Sequence, residues 1–283
     1  MTATKRVPVR HLGNIEVGAI GIGTTASSGW YGKANEDEAI KVFRTAPDYG
    51  VTLIDTADCY GPYTSEEMLG RAIEDIREKF VVSTKGGLTF TDRATFQLKP
   101  DARPSYLKTA LEASLTRLRT DYIDIYYLHR PDPNVEIEET IAFLADMVRA
   151  GKIRAIGLSE VTLPTLKRAH AVHPIASLES ELSLWTRGPL AEILPWCAAN
   201  GVGFVPYAPL GRGFLAGNVK PGMKFKPGDF RHNNPRFTDE AIAQNMVYID
   251  KVKEIGARHG GMSPAVVALA WLLHQAPNVV PIP

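Results

Sequence analysis

Residues 51–61 read VTLIDTADCYG. Four residues suited to a buried strand, Val51 to Ile54, run into Asp55, and Tyr60 follows five positions later. Two further β-type runs, KFVVSTK and YIDIYYLH, end in Lys85 and His129. These four residue types carry a definite chemistry when they share one site. A free phenol titrates near ~10, too high for easy proton donation at neutral pH. An ammonium beside it stabilises the phenolate and lowers that value, and a carboxylate beside the ammonium keeps it charged and oriented. A neutral imidazole can hydrogen-bond a substrate oxygen. Together they would make Tyr60 a general acid toward a carbonyl oxygen that becomes an alkoxide. The carbonyl carbon must then receive a hydride, which calls for a nicotinamide cofactor. Taken singly, Asp55 could be a turn acceptor, Tyr60 a packed aromatic, Lys85 a snorkelling strand end and His129 a partner for a loop carbonyl. Four such residues at three consecutive strand ends argue for the joint reading, with Asp58 and Cys59 left as structural.

The surrounding chain supplies a scaffold for that site. Short β-type runs end near residues 23, 55, 85, 129, 159, 181, 207 and 282. Most are apolar at consecutive positions, as parallel strands covered on both faces are. Helical patterns lie between them. NEDEAIKVFRTAPDYG opens with acidic residues after a potential Asn35 cap and stops near Gly50. PSYLKTALEASLTRLR starts with proline and aligns Leu107, Leu111, Leu115 and Leu118 on one stripe. IEETIAFLADMVRAG ends in arginine and Gly151. Eight strands alternating with helices predict a single α/β domain over residues 1–283, a (β/α)8 TIM barrel with chemistry at the C-terminal strand ends. VPVRHLGNIEVG reads as an N-terminal β-hairpin turning at Gly13-Asn14, a plug under the barrel.

Two stretches depart from the rhythm. Residues 208–237 form a long Gly/Pro-rich loop after the seventh strand, carrying Arg212, Lys220, Lys224, Lys226, Arg231 and Arg236. The alternatives are a surface loop without a task and a lid whose cations clamp phosphates. The chain then stops at VVPIP as the eighth strand finishes, so the C-terminal helix and tail expected of such a barrel are absent from it.

Bulk properties exclude several classes. With 283 residues, 45% hydrophobic and 22% charged, the chain is an ordinary globular one. A net charge of +1 argues against a nucleic-acid or anionic-membrane partner. No apolar run approaches ~18 residues, the N-terminus has no secretory h-region, and the two cysteines have no metal-type spacing. A reduced cytoplasmic setting is expected; oligomeric state is left open. GIGTTA and GRGFLA fit the dinucleotide fingerprint, but SSGWYG follows the first in place of a helix, so a Rossmann domain is rejected. The first strand ends in Gly23-Thr24-Thr25 and not in a His-x-His pair, so no metal site is expected.

With these residues in view, the chain resembles the aldo-keto reductases. DTADCYG, STKGG, YYLHRPD, GKIRAIGLSE, LESELSLWTR and VPYAPLGRGFL are each close to family segments and occur in the family's order. The resemblance implies NADPH-dependent reduction of an aldehyde or ketone, with a catalytic tetrad at Asp55, Tyr60, Lys85 and His129. It implies NADP(H) contacts from Gly23, Thr24, Thr25, Asp55, Ser159, Glu179 and Tyr207, the last stacking on the nicotinamide. Ala208, Pro209, Leu210, Gly211, Arg212 and Gly213 would cover the pyrophosphate, and Trp30 and Arg130 would line the mouth for a small-molecule carbonyl substrate. Glu160, Glu179, Leu182 and Thr25 stand where asparagine, glutamine, tyrosine and tryptophan are frequent. A second implication is a nicotinamide-sensing binding subunit, since potassium-channel β-subunits resemble the same family.

Overall fold

The computed structural model describes residues 6–92 and 97–283. Residues 1–5, part of the stretch read for a secretory signal, lie outside the described residues. The chain opens with an antiparallel hairpin, β1 (Val9–Leu12) and β2 (Ile15–Gly18), turning through Gly13 at φ +60°. Glycine adopts that conformation without a Cβ penalty. Seven parallel strands follow: β3 (Ile22–Gly23), β4 (Leu53–Asp55), β5 (Val81–Gly86), and, after a second hairpin of β6 (Leu88–Asp92) and β7 (Gln97–Pro100), β8 (Ile123–Leu128), β9 (Ile153–Ser159), β10 (Ile175–Glu181) and β11 (Gly203–Tyr207). The sheet order is β3-β4-β5-β8-β9-β10-β11. The β6–β7 hairpin was not legible in the sequence.

The eighth barrel position is filled by residues 278–283, which form isolated bridges to β11 rather than a continuous ladder. Pro281 and Pro283 have no N–H to donate, so regular pairing is interrupted there. Closure still occurs, because Gly21 N donates to Pro281 O at 3.0 Å and Ile282 N donates to Pro206 O at 3.1 Å.

Helices α1 (Glu36–Thr45), α2 (Thr64–Ile73), α3 (Pro104–Leu118), α4 (Ile137–Arg149), α5 (Leu163–Val172) and α6 (Ile193–Ala199) connect successive strands, and α7 (Asp239–Arg258) and α8 (Pro264–Leu273) precede the closing segment. Asn35 accepts from Glu38 N, so the expected cap forms. The leucine stripe of α3 is buried. Two apolar layers result from alternation along the strands. Leu53, Val81, Ile125 and Tyr127 point into the barrel and meet Leu12, Ile15 and Val17 of the hairpin. Ile54, Val82, Tyr126 and Leu128 point outward against the helices. The hairpin is therefore a plug, and Arg10 ties it to the carbonyls of Leu273, Ala276 and Val279. Among the described residues, no helix is long and apolar enough to cross a membrane.

Candidate active site

Inward alternation delivers the polar groups. Asp55 and Lys85 share parity with inward-facing Leu53 and Val81, so both side chains enter the barrel at its C-terminal end. The Lys85 ammonium is fully buried, donates to the Asp55 carboxylate and to Thr56 O (2.9 Å), and lies 3.3 Å from Glu179 Oε2. Asp55 also accepts from Ser83 Oγ at 2.6 Å. Glu179 reaches the same point because the β9–β10 register slips between Ile175 and Ser177. Ala176 packs in the inner layer, yet Ser177 also faces inward to meet the Tyr127 hydroxyl at 2.5 Å, and Glu179 follows Ser177.

In front of this buried cluster lies a cavity of about 650 Å³, a size ordinary for cofactor and small-molecule sites. Tyr60 and His129 stand on its wall. The Tyr60 ring centroid is 5.4 Å from Lys85 Nζ, 5.9 Å from the Trp30 ring and 6.0 Å from the His129 ring, the two rings meeting it edge-on. Burial, then the Lys85 and Arg130 charges, drives His129 well below the ordinary histidine value, so the imidazole is neutral. Cys59 Sγ lies 3.6 Å from His129 Nδ1.

One expectation needs correction. Lys85 does pull the Tyr60 hydroxyl toward greater acidity, but burial outweighs it, and Glu179 and Asp55 add to the rise. In this structure Tyr60 titrates above a free phenol, because burial outweighs the single ammonium and two carboxylates act in the same direction as burial.

The expected contact residues divide into two groups. Gly23, Thr25, Asp55, Glu179, Tyr207, Ala208, Pro209, Leu210, Arg212, Gly213, Trp30 and Arg130 line the cavity with Tyr60 and His129. Thr24, Lys85, Ser159 and Gly211 do not. Thr24 is buried and accepts from Ser65 Oγ, Lys85 stands behind Asp55, and Gly211 faces Trp185. Ser159 accepts from Arg130 at 2.8 Å. Sequence reasoning missed the β6–β7 hairpin wall of Leu88, Leu98 and Pro100, and also Tyr31 and Phe230. Leu88 and Phe90 carry an alternating pattern that could have flagged the first of these strands.

The 208–237 loop is anchored. Phe214, Leu215, Val219 and Phe237 pack with Ile242, Ile249 and Ala268. Phe230 N donates to Trp30 O at 2.8 Å, which straps the loop across the cavity. Its cations are largely committed: Arg212 and Arg236 pair with Glu181 at 3.1 and 2.7 Å, Arg231 with Asp229 at 2.7 Å, and Lys224 with Asp239. Arg212 and Arg231 nevertheless line the cavity.

Asp58, Cys59 and His129 present ligand-type atoms within 4.8 Å of one another. A metal would require the thiolate and carboxylate forms. Burial pushes Cys59 well above the ordinary thiol and Asp58 up to about 8, so the set favours its protons.

The family model for the aldo/keto reductases matches residues 19–283. The chain belongs to the aldo/keto reductase family. A probable aldo-keto reductase from Glycine max is 39% identical over 292 residues, covering 100% of this chain and 82% of its own length. A glycerol dehydrogenase from Gluconobacter oxydans superposes with a TM-score of 0.86 at 30% identity, over 100% of this chain and 86% of the other. An aldo-keto reductase from Klebsiella pneumoniae, solved with NADPH, gives 0.74 at 26% identity, over 99% of this chain and 84% of the other. As an aldo/keto reductase, this chain presents Asp55, Tyr60 and His129 on one cavity with Lys85 buried against Asp55, and Glu179 is a second carboxylate against that lysine.

Proposed function

We propose that this aldo/keto reductase reduces an aldehyde or ketone to the alcohol, reversibly, with NADPH as cofactor and Tyr60 as proton donor. The observation that carries the reading is the placement of Tyr60 and His129 on one cavity wall with the Lys85–Asp55 pair buried behind them. The Klebsiella relative solved with NADPH supports the cofactor. The residues present fit such a cofactor. Tyr207 offers a flat aromatic face, and the Glu179 side chain lines the cavity as an acceptor suited to an amide donor. Arg212 and Arg231 at the loop side suit phosphate oxygens.

When bound, a reduced nicotinamide supplies the hydride. Neutral His129 donates to the substrate carbonyl oxygen and holds it toward Tyr60. Tyr60 transfers its proton to that oxygen as negative charge develops on it, and Lys85 stabilises the resulting phenolate. Asp55 holds Lys85 in place. The substrate end is lined by Trp30, Leu88, Leu98 and Phe230, which favours an apolar or aromatic carbonyl over a polyol.

The test is consumption of NADPH by the purified protein with nitrobenzaldehyde and a panel of aldehydes and alicyclic ketones, repeated with Tyr60→Phe. The variant should bind NADPH as tightly and lose ~10²–10⁴-fold in kcat. Binding of NADPH without turnover of any carbonyl would favour a nicotinamide-sensing subunit instead.

A further inference from the structure

Three charged groups meet in a volume closed to solvent. Asp55, Lys85 and Glu179 are each at most 2% exposed. One ammonium therefore faces two carboxylates, a surplus of one negative charge where water cannot screen it. The two acids are not equivalent. Asp55 accepts from both Lys85 and Ser83. Glu179 Oε2 is 3.3 Å from Lys85 Nζ but accepts no hydrogen bond among the described residues, and its side chain lines the cavity. The other groups facing it do not resolve the surplus. Arg130, bonded to the neutral Ser159 Oγ and His129 carbonyl, draws Glu179 down with its charge, but by less than burial and the Asp55 carboxylate raise it. Tyr127 is bonded to Ser177, and Tyr60 and Tyr127 both stay neutral because burial raises them.

Such a carboxylate has two ways to be satisfied. It can keep a proton, or it can meet a positive charge arriving in the cavity. An oxidised nicotinamide is a cation, whereas the reduced ring is neutral. We infer that Glu179 is the counter-charge for the oxidised ring and makes the protein choose between oxidised and reduced cofactor in a pH-dependent way. This rests on the nicotinamide reading above.

The consequences follow by linkage. Burial first, and then the Asp55 charge, raise Glu179 to about 8. Burial raises Asp55 as well, but Asp55 accepts from Lys85 and Ser83. Near neutral pH the proton that this pair of acids retains therefore sits on Glu179 in the free protein. Binding the cationic ring expels that proton, so the oxidised cofactor binds more tightly as pH rises, by up to about tenfold per pH unit below the free-protein value. Binding the neutral reduced ring leaves the proton in place. The cofactor's own phosphates titrate alike in both forms and cancel in the ratio. Once Glu179 has lost its proton, its charge stabilises the oxidised ring and holds the oxidised product longer.

The experiment titrates NADP+ and NADPH into the wild type and Glu179→Gln at about pH 6, 7.5 and 9, by fluorescence and by calorimetry in buffers of differing ionisation enthalpy. In the wild type, the ratio Kd(NADP+)/Kd(NADPH) should fall at least tenfold across that range. NADP+ binding should release a proton near neutral pH. In Glu179→Gln the ratio should stay constant within about twofold, since the amide has no proton to exchange. Parallel profiles in the two proteins would overturn the inference while leaving the reductase reading intact. Should the variant not fold, proton release by the wild type decides alone, and its absence overturns the inference. Failure of the wild type to bind either cofactor would instead sink the proposed function, and this inference with it.

Discussion

Cys59 Sγ lies 3.6 Å from Nδ1 of the His129 ring. The thiol, pushed well above its ordinary value by burial, keeps its proton and so is able to donate it to Nδ1. With the thiol as donor, the proton of the neutral ring sits on Nε2, the tautomer that can donate to a carbonyl oxygen. Cys59→Ala should reduce kcat several-fold with cofactor affinity unchanged, and Cys59→Ser, which restores a donor, should recover most of it. Steady-state kinetics with one aldehyde settle this; Ala and Ser variants both matching the wild type would discard the role.

Removing Lys85 leaves Asp55 and Glu179 as buried carboxylates without their common counter-ion. Lys85→Met should cost ~3–5 kcal/mol of stability at neutral pH. Adding Asp55→Asn should return a large part of that loss. Urea unfolding of the single and double variants measures both; a double variant no more stable than the single one contradicts the charge argument.

Asp58 gives a signed pH prediction. Burial, and next the Glu66 carboxylate, raise it to about 8. The native state therefore holds a proton that the unfolded chain releases above about pH 4. This group's contribution to stability is complete below that pH and is lost as pH rises toward about 8. Asp58→Asn removes the titration. Its Tm, relative to the wild type, should rise between about pH 5 and pH 8. A constant difference across that range would show that Asp58 is not held protonated.

Gly157 abuts a ring that cannot retreat. A Cβ there would lie 2.4 Å from Tyr127 ring carbons, and Tyr127 is buried with its hydroxyl 2.5 Å from Ser177 Oγ. Gly157→Ala should destabilise by ~1–3 kcal/mol. A denaturant midpoint corresponding to a change below about 0.5 kcal/mol would mean the strands yield more easily than this packing implies.

The strand–helix alternation was legible because strands buried on both faces must be written as continuous apolar runs. For the same reason polar residues at their ends stand out, and Asp55, Lys85 and His129 were readable from their positions. The β6–β7 hairpin was not, since its strands are short and half-exposed. The expected eighth strand was recognisable from NVVPI, but its reduction to isolated bridges depends on which neighbours ask its prolines for an N–H.

By itself the sequence determined the barrel, the hairpin plug and four residues able to meet at its mouth, because local periodicity and strand order are properties of the chain. Tertiary structure decided what those residues meet. The register slip at 175–177 turns Glu179 toward Lys85, and nothing in the local pattern of IASLESE announces it. Ion pairs with Glu181 and Asp229 absorb arginines that composition alone presents as free phosphate clamps. The rise in Tyr60's titration, against the fall expected from one neighbouring ammonium, comes from burial and from charges on strands distant in sequence. Burial and Coulomb interaction act through space, so they are set only once the chain has closed on itself.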